Sequence, residues 1–148
     1  MLSDAAARRT CFVIASDPMS VRHAVQVVFA RLKRWRINPD ACDSTQIVLA
    51  EALNNIVKHA YAQAPGEIEV MIDLSDSDLT CRIMDAGLPL PGCSVLPAWV
   101  APVPDGGEVP EGGYGWHLIR TLTKDVSYRR AGGRNILTFR IASQQGPQ

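Results

Sequence analysis

The chain has 148 residues, which suits one domain built on one hydrophobic core. Apolar residues make up 47% and charged residues 20%, the balance of a soluble globular protein. Lys and Arg together number 15, as do Asp and Glu, so charge alone gives no grip on a polyanion and direct nucleic-acid binding is not expected. The cysteines, Cys11, Cys42, Cys81 and Cys93, are widely and irregularly spaced, without C-x-x-C or a paired-His motif. That spacing argues against a zinc site and for reduced thiols in a cytosol. The apolar run Cys11 to Ala15 is too short for a signal sequence, and no stretch approaches a membrane span. A cytoplasmic location is expected.

In chain order, Thr10 to Ser16 is apolar and β-branched and reads as a strand stopped by Asp17-Pro18. Ser16 or Asp17 can cap a helix with Pro18 in its first turn, and Val21, Ala24, Val25, Val28, Leu32 and Trp35 keep helical spacing. Pro39 disfavours helix at Asn38, so the helix is expected to end near Ile37-Asn38-Pro39. The cations at its end, Arg31, Lys33, Arg34 and Arg36, suit a helix C-terminus. A second helix is expected from about Asp40 or Asp43, with a broad apolar face running to Ala60 and a stop at Pro65-Gly66. Glu67 to Leu74 and Leu79 to Gly87 alternate with period two around the turn Ser75 to Asp78, a β-hairpin.

From Leu88 to Glu111 no period survives, and six prolines with three glycines mark a long loop of the kind that serves as a lid or binding loop. Tyr114 to Asp125 reads as a short helix entered through Gly112 and Gly113. Asp125 to Arg130 and Asn135 to Ala142 read as two closing strands, and the tail 144–148 as disordered. Hairpin strands with the helices gathered together imply a single α+β domain over 1–143. The expected architecture is a two-layer sandwich, an antiparallel-rich mixed sheet with helices on one face.

Three patterns carry chemistry. Within the second helix Glu51, Asn55 and His59 recur every fourth residue, with Lys58 beside them. The stripe is either a solvated face or a site: an Asn carbonyl suits a hard cation, and a Glu can deprotonate a nucleophile. Asp85-Ala86-Gly87 ends a strand, where the aspartate can accept from an exocyclic amine and the glycine admits a ligand to the backbone, or where both simply make a turn. Glycines 112, 113 and 115 open a helix, which suits phosphate or merely a flexible entry. Neither a P-loop nor a Rossmann glycine pattern is present.

The order of these patterns resembles the Bergerat-fold ATPase family: a helix with E-x-x-x-N, a strand ending D-x-G, a long loop, then a G-x-G helix start. Within that family the chain is most similar to the anti-sigma serine/threonine kinases of bacterial partner-switching systems. The resemblance covers Cys11 to Ile141 and is closest in EALNNIVKHAY and in GGYGWHLIRTLTKDVSYRRAGGRNILTFRI.

It implies ATP and Mg²⁺ as cofactors, Asn55 as the Mg²⁺ ligand and Glu51 as the general base. It also implies Asp85 with Gly87 as readers of adenine, Gly113 and Gly115 beside the phosphates, Lys58 and His59 as phosphate contacts, and residues 88–111 as the ATP lid. The partners it implies are an anti-anti-sigma (STAS-type) protein, a sigma factor and a second copy of the chain. Pro89 departs from the family's D-x-G-x-G, and Trp116 and His117 replace smaller residues after the glycine box. Three other readings remain open at this point: a nucleotide-binding anti-sigma module without turnover, the catalytic domain of a histidine kinase, and a domain that binds no nucleotide. No histidine of the chain lies in the H-E-[LI]-[RK] context of a phosphoacceptor, and Glu51 favours activation of a hydroxyl.

Overall fold

The structure is a computed structural model and describes residues 8–75, 77–89 and 113–143. Five strands and three helices run in the order β1 (Arg9–Ala15), α1 (Pro18–Arg34), α2 (Pro39–Asn55), β2 (Glu67–Leu74), β3 (Asp78–Asp85), α3 (Gly113–Leu122), β4 (Lys124–Ala131) and β5 (Arg134–Ala142). The strand order is β1-β2-β3-β5-β4, and each described pair is antiparallel. The α+β sandwich expected from the sequence is therefore the fold. Residues 90–111 of the segment expected to be a lid, with residue 112 and the tail 144–148, lie outside the described residues.

One face of the sheet is apolar and covered. Ile68, Val70 and Ile72 of β2, Leu79, Cys81 and Ile83 of β3, and Leu137, Phe139 and Ile141 of β5 are all buried, each two residues from the next. Val28 and Leu32 of α1, Val48, Leu49, Ala52 and Leu53 of α2, and Ile119 of α3 close the core above them. Burying one such aliphatic side chain contributes about 1.5–3 kcal/mol, so this shared core holds helices and sheet in one fixed relation.

The start of α1 is as expected, and its end is not. Asp17 caps α1, its carboxylate accepting from the Ser20 N–H at 2.8 Å and the Ser20 hydroxyl at 2.9 Å. The other end stops at Arg34, ahead of Pro39. There Arg36 takes a left-handed φ of 61°, and the N–H groups of Arg36 and Ile37 donate back to the carbonyls of Lys33 and Leu32. This is a Schellman closure with arginine where glycine is usual. Pro39 opens α2, with Asn38 as N-cap accepting from the Asp40 N–H at 2.8 Å, so the proline starts the second helix and does not end the first. At its far end α3 stops at Leu122, and β4 begins at Lys124 with a register shift before Ser127. No helix among the described residues is long and apolar enough to cross a membrane.

Candidate nucleotide site

The α-helical hydrogen bonding of α2 ends at Asn55. Residues Ile56–Ala60 continue as a π-helical turn, closed by the Tyr61 N–H donating to the Ile56 carbonyl at 3.1 Å. Such turns insert an extra residue into a helix and concentrate at functional sites. The one-in-four spacing of Glu51 and Asn55 consequently does not extend to His59. Glu51 is half-buried, Asn55 buried, Lys58 exposed and His59 half-buried.

Asn55 is the unusual member of this row. It is only 6% exposed, yet its amide nitrogen has no hydrogen-bond partner among the described residues. An orphaned buried donor costs about 1–3 kcal/mol, so the position suits a ligand that brings an acceptor. Its amide oxygen is a hard donor of the kind Mg²⁺ takes, and the Glu51 carboxylate lies one helical turn earlier. The residues present therefore fit a Mg²⁺–phosphate group.

The second half of the site is the turn after β3. Asp85 is 3% exposed, and its Oδ1 accepts from the Gly87 N–H at 2.9 Å and from Asn135 Nδ2 at 2.7 Å. Both bonds use the same oxygen and leave Oδ2 out. Burial pushes the Asp85 carboxyl above its ordinary value, against the opposing pull of Asn135, the Gly87 N–H, Arg130 and Arg134. Gly87 sits against the π-helical turn: a Cβ there would overlap the Ala60 carbonyl, which already accepts from the Leu88 N–H at 2.8 Å. The turn carrying Asp85 thus meets the end of the helix carrying Asn55 through backbone contact.

The glycines of the third pattern, Gly113 and Gly115, form the start of α3, whose Ile119 is buried in the common core and whose body packs on α2. The N–H groups of a first helical turn have no partners within the helix and carry its positive dipole end. Trp116 is half-buried against the core, and His117 is exposed.

Residues 14–141 match the family model of the histidine kinase-like ATPase domain. The chain belongs to that family. Over 109 residues it is 33% identical to the serine-protein kinase RsbW of Bacillus mycoides (strain KBAB4), covering 72% of this chain and 68% of that protein. With RsbW of Bacillus anthracis it shares 32% over the same span. The resemblance to anti-sigma kinases read from the motifs is thus borne out, and this histidine kinase-like ATPase groups with the RsbW-type branch.

Its fold is similar to the RsbU and RsbW domains of Rv1364c from Mycobacterium tuberculosis, with a TM-score of 0.66 at 14% identity, over 93% of this chain and 33% of that one. The chain therefore spans about a third of that larger protein. It is also similar to the SiaB-SiaC complex structure from Pseudomonas aeruginosa, with a TM-score of 0.58 at 14% identity, over 90% and 89% of the two chains. These distant likenesses show the fold alone.

Around the Asp85 turn of this member of the histidine kinase-like ATPase family, three residues make contacts that the motifs did not single out. Asn135, 1% exposed, donates from Nδ2 to Asp85 Oδ1 and to the carbonyls of Gly87 at 3.2 Å and Leu88 at 3.0 Å. Arg130 donates to Asn135 Oδ1 at 2.7 Å and to the Gly87 carbonyl at 3.0 Å, which holds the Asn135 amide in one orientation. Tyr61 is the third, through its hydroxyl. A signal for Asn135 was present in the sequence: in NILTFRIA the alternation places it on the same face as Leu137, Phe139 and Ile141. An amide on an otherwise apolar face must have a specific partner.

The close approach at Gly87 yields a direct expectation. Gly87→Ala forces a methyl group against backbone that cannot swing aside, so it is expected to lower stability by about 1–3 kcal/mol and to weaken nucleotide binding. Thermal melting and ATP titration check both effects, and wild-type values in both would show that the turn and helix are less tightly joined.

Proposed function

We propose that the protein is an ATP-dependent serine/threonine protein kinase of the anti-sigma type. The observation that carries this reading is Glu51 placed one helical turn before the buried, partly unpartnered Asn55, within a member of the histidine kinase-like ATPase family. A nucleotide binder needs the asparagine, and a phosphotransferase to a hydroxyl also needs the carboxylate.

In this reading Asp85 accepts from the amino group of adenine, with Gly87 allowing the base to approach the backbone. Asn55 holds Mg²⁺. Gly113 and Gly115 offer N–H groups to phosphate at the start of α3, while Lys58 and His59 supply further phosphate contacts from the π-helical turn. Bound Mg²⁺ supplies positive charge that offsets the phosphates. Glu51 takes the proton of an incoming serine or threonine hydroxyl as its oxygen bonds to the γ-phosphorus and the bond to ADP breaks in line.

The acceptor in this reading is a serine or threonine on a small anti-anti-sigma protein of STAS type. The same chain sequesters a sigma factor, works as a homodimer in the cytoplasm and has residues 88–111 as its ATP lid. The names of the RsbW relatives support the kinase part of the reading. The test is a pull-down with the tagged protein, followed by ATP·Mg²⁺ and phosphosite mapping on whatever co-purifies. Phosphoserine or phosphothreonine on a small partner is expected. Saturable ATP binding without any transfer would favour a nucleotide-binding anti-sigma module instead. Asn55→Ala is expected to weaken ATP·Mg²⁺ binding at least about tenfold by titration calorimetry; unchanged binding would remove Asn55 from the metal site.

A further inference from the structure

Tyr61 follows directly on the π-helical turn, and its hydroxyl bridges the start of β2 and the residue after β3, just beyond the pair Ile68–Asp85. It accepts from the Ala86 N–H at 2.8 Å and donates to the Glu67 carbonyl at 2.6 Å. With both roles filled, the hydroxyl is held in one orientation. On the other side of the same turn, the Leu88 N–H donates to the Ala60 carbonyl at 2.8 Å. Besides the bonds it receives from Asn135 and Arg130, the segment Asp85-Ala86-Gly87 and the residue after it are therefore fastened at two points to the end of the helix that bears Glu51 and Asn55.

The two fastenings differ in what they control. The Ala60 bond holds the chain after Gly87. The Tyr61 bond holds the peptide between Asp85 and Ala86, and the next peptide supplies the Gly87 N–H that binds Asp85 Oδ1. Rotation of the first peptide swings the second and carries away the Gly87 N–H, one of the two bonds on Asp85 Oδ1, which leaves the carboxylate to turn about the other, from Asn135. We propose that Tyr61 is a specificity-determining positioning residue: its hydroxyl sets the direction in which Asp85 presents its carboxylate, and so the selection of a 6-amino purine over a 6-oxo purine. The proposal rests on the reading of Asp85 as the group that accepts from the base.

A residue that only braces the fold would affect all nucleotides alike. A residue that aims Asp85 affects the nucleotide with an amino group for Asp85 to accept from, and spares one with a carbonyl there. The experiment compares ATP with inosine triphosphate, which differs at that position, by titration against the full chain. Tyr61→Phe keeps the ring, and Ala86 is exposed, so water can take over its N–H and the fold survives.

Wild type is expected to prefer ATP. In Tyr61→Phe the dissociation constant for ATP is expected to rise about tenfold, that for inosine triphosphate to change less than about twofold, and the preference to collapse. Gly66→Ala provides a second route, because the added methyl overlaps the Tyr61 ring and displaces the hydroxyl without removing it; the same collapse is expected. An ATP preference retained in both variants, whether affinities hold or fall together, overturns the role of Tyr61. No preference in wild type overturns instead the base-reading role of Asp85, on which the proposal stands.

Discussion

Glu51→Ala is expected to reduce phosphoryl transfer by about 10²- to 10⁴-fold, the usual contribution of a positioned general base, while leaving the dissociation constant for ATP within a factor of about two. The separation follows from the geometry. Glu51 is half-buried on α2, one turn before Asn55, and the bonds described on the Asp85 carboxylate come from Gly87 and Asn135, not from Glu51. Alanine is a strong helix former, so the helix itself is not weakened at that position. Single-turnover transfer to the co-purifying partner, beside an ATP titration, checks both halves. Full transfer activity in the variant would remove Glu51 as base. Loss of ATP binding together with transfer would place it in the metal–phosphate group instead.

Asp85→Asn should separate function from stability in the opposite sense to most active-site changes. ATP affinity is expected to fall about 10- to 100-fold, since a charge-assisted acceptor is lost and an amide can present a donor to a donor. The fold is expected to melt no lower at neutral pH. Burial raises the Asp85 carboxyl above its ordinary value of 3.8, so the folded protein binds the proton more tightly than the unfolded chain does. Between 3.8 and the folded value the native state carries more protons, and stability therefore falls as pH rises through that window and stays lower above it. At neutral pH the ionised, buried carboxylate is a net cost that an asparagine at this position would not carry, while the amide oxygen of that asparagine can still accept from the Gly87 N–H and Asn135. Wild type is expected to regain stability relative to the variant as pH falls through the folded value. A variant that melts well below wild type at pH 7 would show that the charge of Asp85 supports the fold, and wild-type ATP affinity would end its role in base recognition.

These expectations draw unequally on what could be read in the linear chain. The Glu51–Asn55 pair is local: both lie on one helix, and helical spacing alone relates them. The Gly87 expectation is half local. A strand ending D-x-G suggests close approach of something to the backbone, but not that the neighbour is the Ala60 carbonyl, which reaches Gly87 only across the packing of α2 on the sheet. The π-helical turn had no visible signature in EALNNIVKHAY, whose apolar spacing continues smoothly through it. The end of α1 was misplaced for a related reason. Pro39 is a strong local mark, but it starts the next helix, and the left-handed Arg36 that closes α1 is a residue type with no special preference for that conformation.

By itself the sequence determined the elements, their two faces and the order of the chemical patterns, because alternation of two and spacing of 3.6 are properties of neighbouring residues. Tertiary structure alone decided the company Asp85 keeps. Asn135 lies fifty residues away and meets it because β5 inserts between β3 and β4 with Asp85 opposite Asn135 in register. Tyr61 meets Ala86, 25 residues on, because the helix ends beside the C-terminal end of the central strand β3. Strand order and register are set by burial of the whole apolar face at once, a sum over many distant pairs that no local pattern records.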